Sequence, residues 1–294
     1  MFHRLMAYLN IFRSNPAPIV AVVRLTGIIA PSGRLRQSLN LANTARLLAR
    51  AFGIYGVKAV ALSINSPGGS PVQSALIMQR VRDLASEKNV PVLTFAEDVA
   101  ASGGYMLALA GDEIFAHEAS IVGSIGVISA GFGFPEAISK LGIERRIYTA
   151  GEKKALLDPF SEEKEEDVAR LKELQGQMHE YFKGLVKERR GRKLKATKGA
   201  AAKIFSGDVW LARDAEKLGL IDGIGDLRGI LRERFGENVK IKMISQKKTK
   251  FAGLLGLAQR FGGAGDTGDA GDTGWADDLL GAVEARLFWS RYGL

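Results

Sequence analysis

The stretch that decides the fold runs from Ala59 to Ala110, AVALSINSPGGSPVQSALIMQRVRDLASEKNVPVLTFAEDVAASGGYMLALA. It opens with an apolar run, Ala59–Ile64, that ends in Asn65-Ser66-Pro67-Gly68-Gly69-Ser70. A helical pattern follows over residues 71–87, with Val72, Ala75, Leu76, Met78, Val81 and Leu84 on one side. A second apolar run, Val92–Ala96, leads into Ala100-Ala101-Ser102-Gly103-Gly104-Tyr105 and a further apolar helix to Ala110. Short continuous runs of Val, Ile and Leu bounded by Gly, Pro, Asn and Ser read as strands buried on both faces. Strand alternating with helix predicts an α/β layered domain.

The same alternation extends outward. Ile19–Leu25 reads as another buried strand, and residues 37–51 as a helix with Leu39, Leu41, Ala45, Leu47 and Leu48 on one side. Downstream, Glu113–Ala116, Val127–Ser129 and Arg145–Thr149 read as strands. A long helix is expected from Glu162 to Arg190, with Ser161 as its N-cap and five acids in its first turns, which suit the positive end of the helix dipole. Its stripe of Leu171, Leu174, Met178, Phe182 and Leu185 predicts a packing face on the domain or on a neighbouring subunit. The organisation expected is an N-terminal amphipathic segment over 1–17, one domain over 18–245, and a tail over 246–294. That tail combines a basic stretch, the low-complexity run GGAGDTGDAGDTG (262–274) and a final apolar helix. The GDxGD repeat lacks the Glu and the flanking helices of a calcium loop.

Composition narrows the chemistry. The 294 residues contain no cysteine, so disulfides, thiolate nucleophiles and cysteine-ligated zinc are excluded. His3, His117 and His179 are the only histidines, and no metal or other cofactor is expected. The net charge is +9, with no acid before Asp83 and a basic run from Lys183 to Lys203 in which Glu188 is the only acid. Such runs suit an anionic partner such as a membrane surface, or serve as a solvated face. No aromatic interleaving accompanies them, so nucleic acid is not expected. The longest N-terminal apolar run, Ile19–Ala30, is interrupted by Arg24 and falls short of the roughly 20 residues that cross a bilayer. The expected location is cytoplasmic, or peripheral at the inner membrane.

Two turns carry the candidate chemistry. Gly68 and Gly69 can aim backbone N–H groups at an anion or a carbonyl oxygen. Ser102, at a small-residue turn before a helix, is placed as a nucleophile or as a simple N-cap. A serine nucleophile needs a base. His117 is the nearest histidine in sequence, and Lys153 or Lys154 in Ala150-Gly151-Glu152-Lys153-Lys154-Ala155 would serve if burial left the amine neutral. Ser124, in Val122-Gly123-Ser124-Ile125-Gly126-Val127, is a third hydroxyl bounded by glycines, or a tight turn.

The ordered series SPGG, ASGGY, GSIGV, AGEKKALLDPF and FSGDVWLARDAEKLGLIDGIG resembles the signal peptide peptidase A family of serine–lysine proteases, over about Ile19 to Ile244. The resemblance implies a Clp/crotonase-like spiral of ββα units. It implies Ser102 as nucleophile, Lys154 as general base, Ser124 as the hydroxyl that orients the lysine, and N–H groups of Gly68 or Gly69 with Gly103 as the oxyanion hole. Lys153 stands where the family often has an aromatic residue, which leaves the choice between the two lysines open. Where Clp protease would have its histidine, 25 residues beyond the nucleophile, this chain has Val127. The family also implies peptide substrates, such as remnant signal peptides or unfolded segments. It further implies a ring of identical subunits in which Ser and Lys can meet across a boundary. Two other classes compete: a crotonase-type acyl-CoA enzyme using Glu97 or Asp98, and a silent scaffold that binds membranes or peptides.

Overall fold

The computed structural model describes residues 16–31, 38–151, 153–195, 203–245, 286 and 289–293. The expected N-terminal amphipathic segment and almost all of the tail lie outside the described residues.

Eight strands form one sheet: β1 (Ile19–Thr26), β2 (Val57–Ser66), β3 (Val92–Ala101), β4 (Glu113–Ala116), β5 (Ile121–Gly123), β6 (Val209–Leu211), β7 (Gly223–Ile224) and β8 (Lys240–Met243). Its main order is β6-β5-β3-β2-β1-β8, and every pair is parallel except β5 with β6. β3 is the hinge of the architecture. Its first half, Leu93–Ala96, pairs with β4, and its last residues, Val99–Ala101, pair with β5. One strand thus serves two successive neighbours, and β4 carries β7 away from the main path. This is the alternation of strand and helix in an α/β layered domain that the sequence led us to expect.

The helices are α1 (Leu41–Phe52), α2 (Pro71–Lys88), α3 (Gly103–Ala108), α4 (Pro135–Lys140), α5 (Glu165–Arg190), α6 (Ala212–Leu218) and α7 (Leu227–Phe235). The strands look uniformly apolar because both faces are covered. Ala21, Val23, Leu25, Val60, Leu62 and Ile64 face a core shared with α1, α2, α3 and the C-terminal half of α5. The alternate residues Val20, Val22, Ala59, Ala61, Leu93 and Phe95 face a smaller core closed by Leu231 of α7. Burial at about 25 cal/mol per Å² makes these two layers the main source of stability.

Local chemistry places the helix ends. Asn40 caps α1 by accepting from the Asn43 N–H at 2.9 Å, so this helix starts later than residue 37. Ser70 accepts from the Gln73 N–H and Pro71 follows at the first helical position, which fixes the start of α2. α5 begins at Glu165 with Lys164 in the capping position, and Ser161 instead donates to Asp158. The predicted strands at Val127–Ser129 and Arg145–Thr149 are absent. The first starts at the pocket-lining Val127 and the second lies within an arm over residues 128–163 that has left the sheet and exposes Ile128, Phe132, Ile143, Ile147 and Tyr148. Apolar content there does not signal core. The arm has its own small cluster, in which the Phe134 ring lies tilted against those of Phe132 and Phe160, and Arg145 lies 5.2 Å from the Phe160 ring centroid. Arg145 also hydrogen-bonds Asp158 and holds its carboxyl below the usual range.

Candidate active site

Ser102 stands where β3 ends and α3 begins. Its backbone is at φ 53°, ψ −121°, a conformation that costs a non-glycine residue about 1–3 kcal/mol. Two main-chain bonds hold it there. Its N–H donates to the Gly123 carbonyl at 2.8 Å, and its carbonyl accepts from the Met106 N–H at 3.0 Å. Its side chain makes no capping bond, so the N-cap reading of Ser102 fails. Ser102 instead lines a small pocket between α2, α3 and α5.

The pocket has a polar rim and apolar walls. Gly69 and Gly103 lie beside Ser102, and Met106, Val127, Met178 and Phe182 supply the walls. The SPGG turn is stitched to the segment after β1: the Ile29 N–H donates to Gly68 O at 2.8 Å and the Ser70 N–H to Ile29 O at 2.7 Å. The Gly68 N–H is engaged by Ser66 Oγ at 3.2 Å. The N–H groups of Gly69 and Gly103 donate to no protein acceptor among the described residues. Gly68 belongs to the site through proximity: a Cβ there would lie 2.8 Å from both Ser102 Cβ and Gly103 N. Glycine is needed at this point because the two turns touch.

Ser124 is a backbone neighbour of Ser102 by register, although it does not itself line the pocket, which Gly126 and Val127 border. Ala101 pairs with Gly123, so the residues that follow, Ser102 and Ser124, leave adjacent strands side by side. Ser124 also has positive φ, at 52°. Its N–H donates to the Asp208 carbonyl at 2.7 Å, and its carbonyl accepts from the Gly126 N–H at 3.0 Å. The Ser206-Gly207-Asp208-Val209-Trp210 segment, expected only as a closing element, therefore braces this turn. Trp210 packs over Gly123, and Tyr105 of α3 is fully buried with its hydroxyl donated to Leu220 O at 2.7 Å. Burial, the largest influence, pushes the Tyr105 hydroxyl pKa well above the ordinary tyrosine value, so it stays a neutral donor.

His179 is a neighbour that sequence reasoning missed. It lies on α5 between Met178 and Phe182, and its Nε2 is 3.1 Å from the Ile125 carbonyl oxygen. The available signal was its position inside the apolar stripe of that helix.

Other predicted residues are elsewhere. Lys153 and Lys154 are exposed in the arm, and neither lines the pocket or hydrogen-bonds Ser102. The Lys154 main-chain N–H donates to Gly151 O at 3.1 Å. A single copy of the chain therefore does not bring serine and lysine together. His117 is exposed and its Nδ1 accepts from the Ala119 N–H. Glu97 is engaged by Arg24 at 2.8 Å and by the Ser63 hydroxyl at 2.6 Å, and Asp98 by Asn65. Neither acid lines the pocket. Among the described residues, no cluster of three or more His, Asp or Glu could hold a metal ion, and no helix is long and apolar enough to cross a membrane.

Residues 85–240 match the family described as peptidase family S49. The chain belongs to that family. A relative named putative signal peptide peptidase SppA, from Enterococcus faecium, is 30% identical over 210 residues, covering 70% of this chain and 60% of its own. The chloroplastic serine protease SPPA of Arabidopsis thaliana is 34% identical over 170 residues, 58% of this chain and 24% of that one. A chain of Brucella abortus (strain 2308) named Na(+)/H(+) antiporter NhaA is 52% identical over 281 residues. That match takes in 94% of this chain and 37% of the Brucella chain, so the present chain spans little more than a third of that relative. Among solved structures, the 1510-N membrane-bound stomatin-specific protease is 17% identical with a TM-score of 0.49, covering 78% of this chain and 99% of that one.

Proposed function

We propose that the chain is a serine endopeptidase working through a Ser102–Lys154 dyad, with Ser124 orienting the lysine and the N–H groups of Gly69 and Gly103 forming the oxyanion hole. The observation that carries this reading is the strained, uncapped Ser102 facing a pocket beside two unengaged glycine N–H groups. Such strain persists only where the surroundings over-determine it, and it clusters at reactive positions. Unengaged N–H donors beside a nucleophile suit an oxyanion, and such a donor is worth about 10²–10³ in rate.

The steps follow from the chemistry of the groups. Neutral Lys154 Nζ accepts the Ser102 hydroxyl proton as Oγ bonds to the peptide carbonyl carbon, and the carbonyl oxygen becomes the oxyanion. Collapse breaks the C–N bond, and the lysine ammonium returns the proton to the departing amine. Water, deprotonated by the same amine, then attacks the acyl ester; the C–Oγ bond breaks, the lysine ammonium returns the proton to Ser102 Oγ, and the acid product leaves. The amine must be neutral to begin, which burial away from water provides. Lys154 is exposed in the single chain, so we assign that burial to docking of the arm against a neighbouring copy. The exposed Phe132, Ile143, Ile147 and Tyr148 of the arm support this ring-like assembly. The apolar pocket walls favour apolar side chains in peptide substrates, the class that includes signal-peptide remnants and unfolded segments. The crotonase reading loses its acids, because Glu97 and Asp98 are engaged outside the pocket. The transport activity in the Brucella relative's name is not carried over, since most of that chain lies outside the shared stretch.

The test is hydrolysis of casein and apolar fluorogenic peptides by the wild-type chain beside Ser102→Ala, Lys154→Ala and Lys153→Ala. Loss in the first two variants and retention in the third is expected. Wild-type activity in Ser102→Ala would refute the assignment.

A further inference from the structure

We infer that His179 is a positioning residue that fixes the Ser124 turn against α5. This inference rests on the serine-peptidase reading above for its functional meaning, though its structural core can be tested separately.

A carbonyl oxygen only accepts hydrogen bonds. The 3.1 Å contact to Ile125 O therefore requires a proton on His179 Nε2, and the ring donates in either charge state. The turn it grips is also held by main-chain bonds: the Ser102 N–H donates to Gly123 O and the Gly126 N–H to Ser124 O. Strand β5 is three residues long and ends at Gly123. Beyond it, Ser124 is held at φ 52° by the Asp208 carbonyl on one side. His179 adds a restraint from α5, at the carbonyl of the next residue, Ile125, whose side chain is buried. A residue with positive φ keeps that conformation only while such restraints persist. Removal of the imidazole takes one of these restraints away, and the Ser124 turn, which follows the Ala101–Gly123 pair beside Ser102, should loosen.

The position of His179 on α5 adds a second consequence. Met178 and Phe182, one residue before and three after, line the pocket. One turn of helix thus carries both the apolar wall and the bond to the Ser124 turn. Phe182 and Val186 are buried in the core and anchor this part of the helix. The histidine bond transmits that rigidity to the site, where small misplacements are costly in rate.

The experiment compares His179→Phe, which keeps a ring and loses the donor, with His179→Gln, whose amide N–H reaches a similar position. In peptide hydrolysis, His179→Phe should lose about tenfold or more in kcat with KM changed less than about threefold, and His179→Gln should stay within about threefold of wild type. A purely packing role predicts equal loss in both variants, and that result, or full kcat in His179→Phe, overturns the inference. Amide exchange is the independent readout. The Ser124 and Gly126 N–H groups should exchange faster in His179→Phe and at wild-type rates in His179→Gln, and unchanged exchange in His179→Phe refutes the bond's role. If the wild-type chain proves inactive on every peptide, the functional reading falls, and exchange alone decides whether His179 holds the turn.

Discussion

The Ser102 N–H donates to the Gly123 carbonyl oxygen at 2.8 Å, and that one bond ties the strained serine to the strand that delivers Ser124. Gly123 cannot be another residue without disturbing it. Its φ is +109°, and a Cβ would sit 2.7 Å from the Trp210 ring. Gly123→Ala should therefore destabilise the fold by about 1–3 kcal/mol through overpacking, with a larger relative loss of peptidase activity. Thermal unfolding and hydrolysis rates check it. Adding Trp210→Ala removes the clash but not the backbone strain, so the double variant should recover stability only in part.

The separation of Lys154 from Ser102 within one chain makes a prediction about mixtures. Ser102→Ala and Lys154→Ala should each be inactive alone. If the arm completes a neighbour's site across a head-to-tail interface, random co-assembly of equal amounts restores about one quarter of wild-type activity. No recovery after dissociation and reassembly would place both groups in one chain and require the arm to fold back onto its own pocket.

How far the sequence was legible depends on where each residue's partners lie. β1, β2 and β3 are readable because both faces are covered, which leaves uninterrupted apolar runs. The glycine turns are readable because close approach leaves no room for a side chain. The strands expected at Val127–Ser129 and Arg145–Thr149 fail because local apolarity cannot distinguish a core from an arm whose apolar groups face outward. Ser102 looked like a helix cap because position alone does not reveal the side chain's direction. His179 was missed because its partner is a main-chain carbonyl 54 residues away, which no local pattern encodes. The bracing role of Asp208 was hidden for the same reason.

Away from the pocket, Arg190 and Asp222 make a buried ionic joint. Arg190 is 3% exposed and donates to Asp222 at 2.6 Å and to Gly219 O at 2.7 and 3.0 Å. Burial alone would raise the Asp222 pKa, but the bonds from Arg190 and Lys193 outweigh it and bring it below the ordinary carboxylate value. A carboxyl with a depressed folded-state pKa adds stability above its unfolded pKa and loses it as pH falls through the folded one. Stability should therefore be level at neutral pH and drop below about pH 4, and Asp222→Asn should flatten part of that drop. Arg190→Ala, which leaves the carboxylate without its main partner, should cost about 3–5 kcal/mol in denaturant unfolding at neutral pH.

Substrate choice should follow the wall that α5 gives the pocket. Met178 is 40% exposed, so its replacement leaves the core intact, unlike Phe182 at 2%. Met178→Ala should widen the pocket and raise kcat/KM for peptides with an aromatic side chain before the cleaved bond, relative to leucine, by about 3–10-fold. Met178→Glu should lower kcat/KM for both apolar series, because an unpaired carboxylate would border the bound side chain. The contrast between these variants separates pocket shape from general damage: both should unfold near the wild-type temperature. Equal leucine-to-aromatic ratios in the wild-type and Met178→Ala proteins would mean that the bound side chain does not enter this pocket.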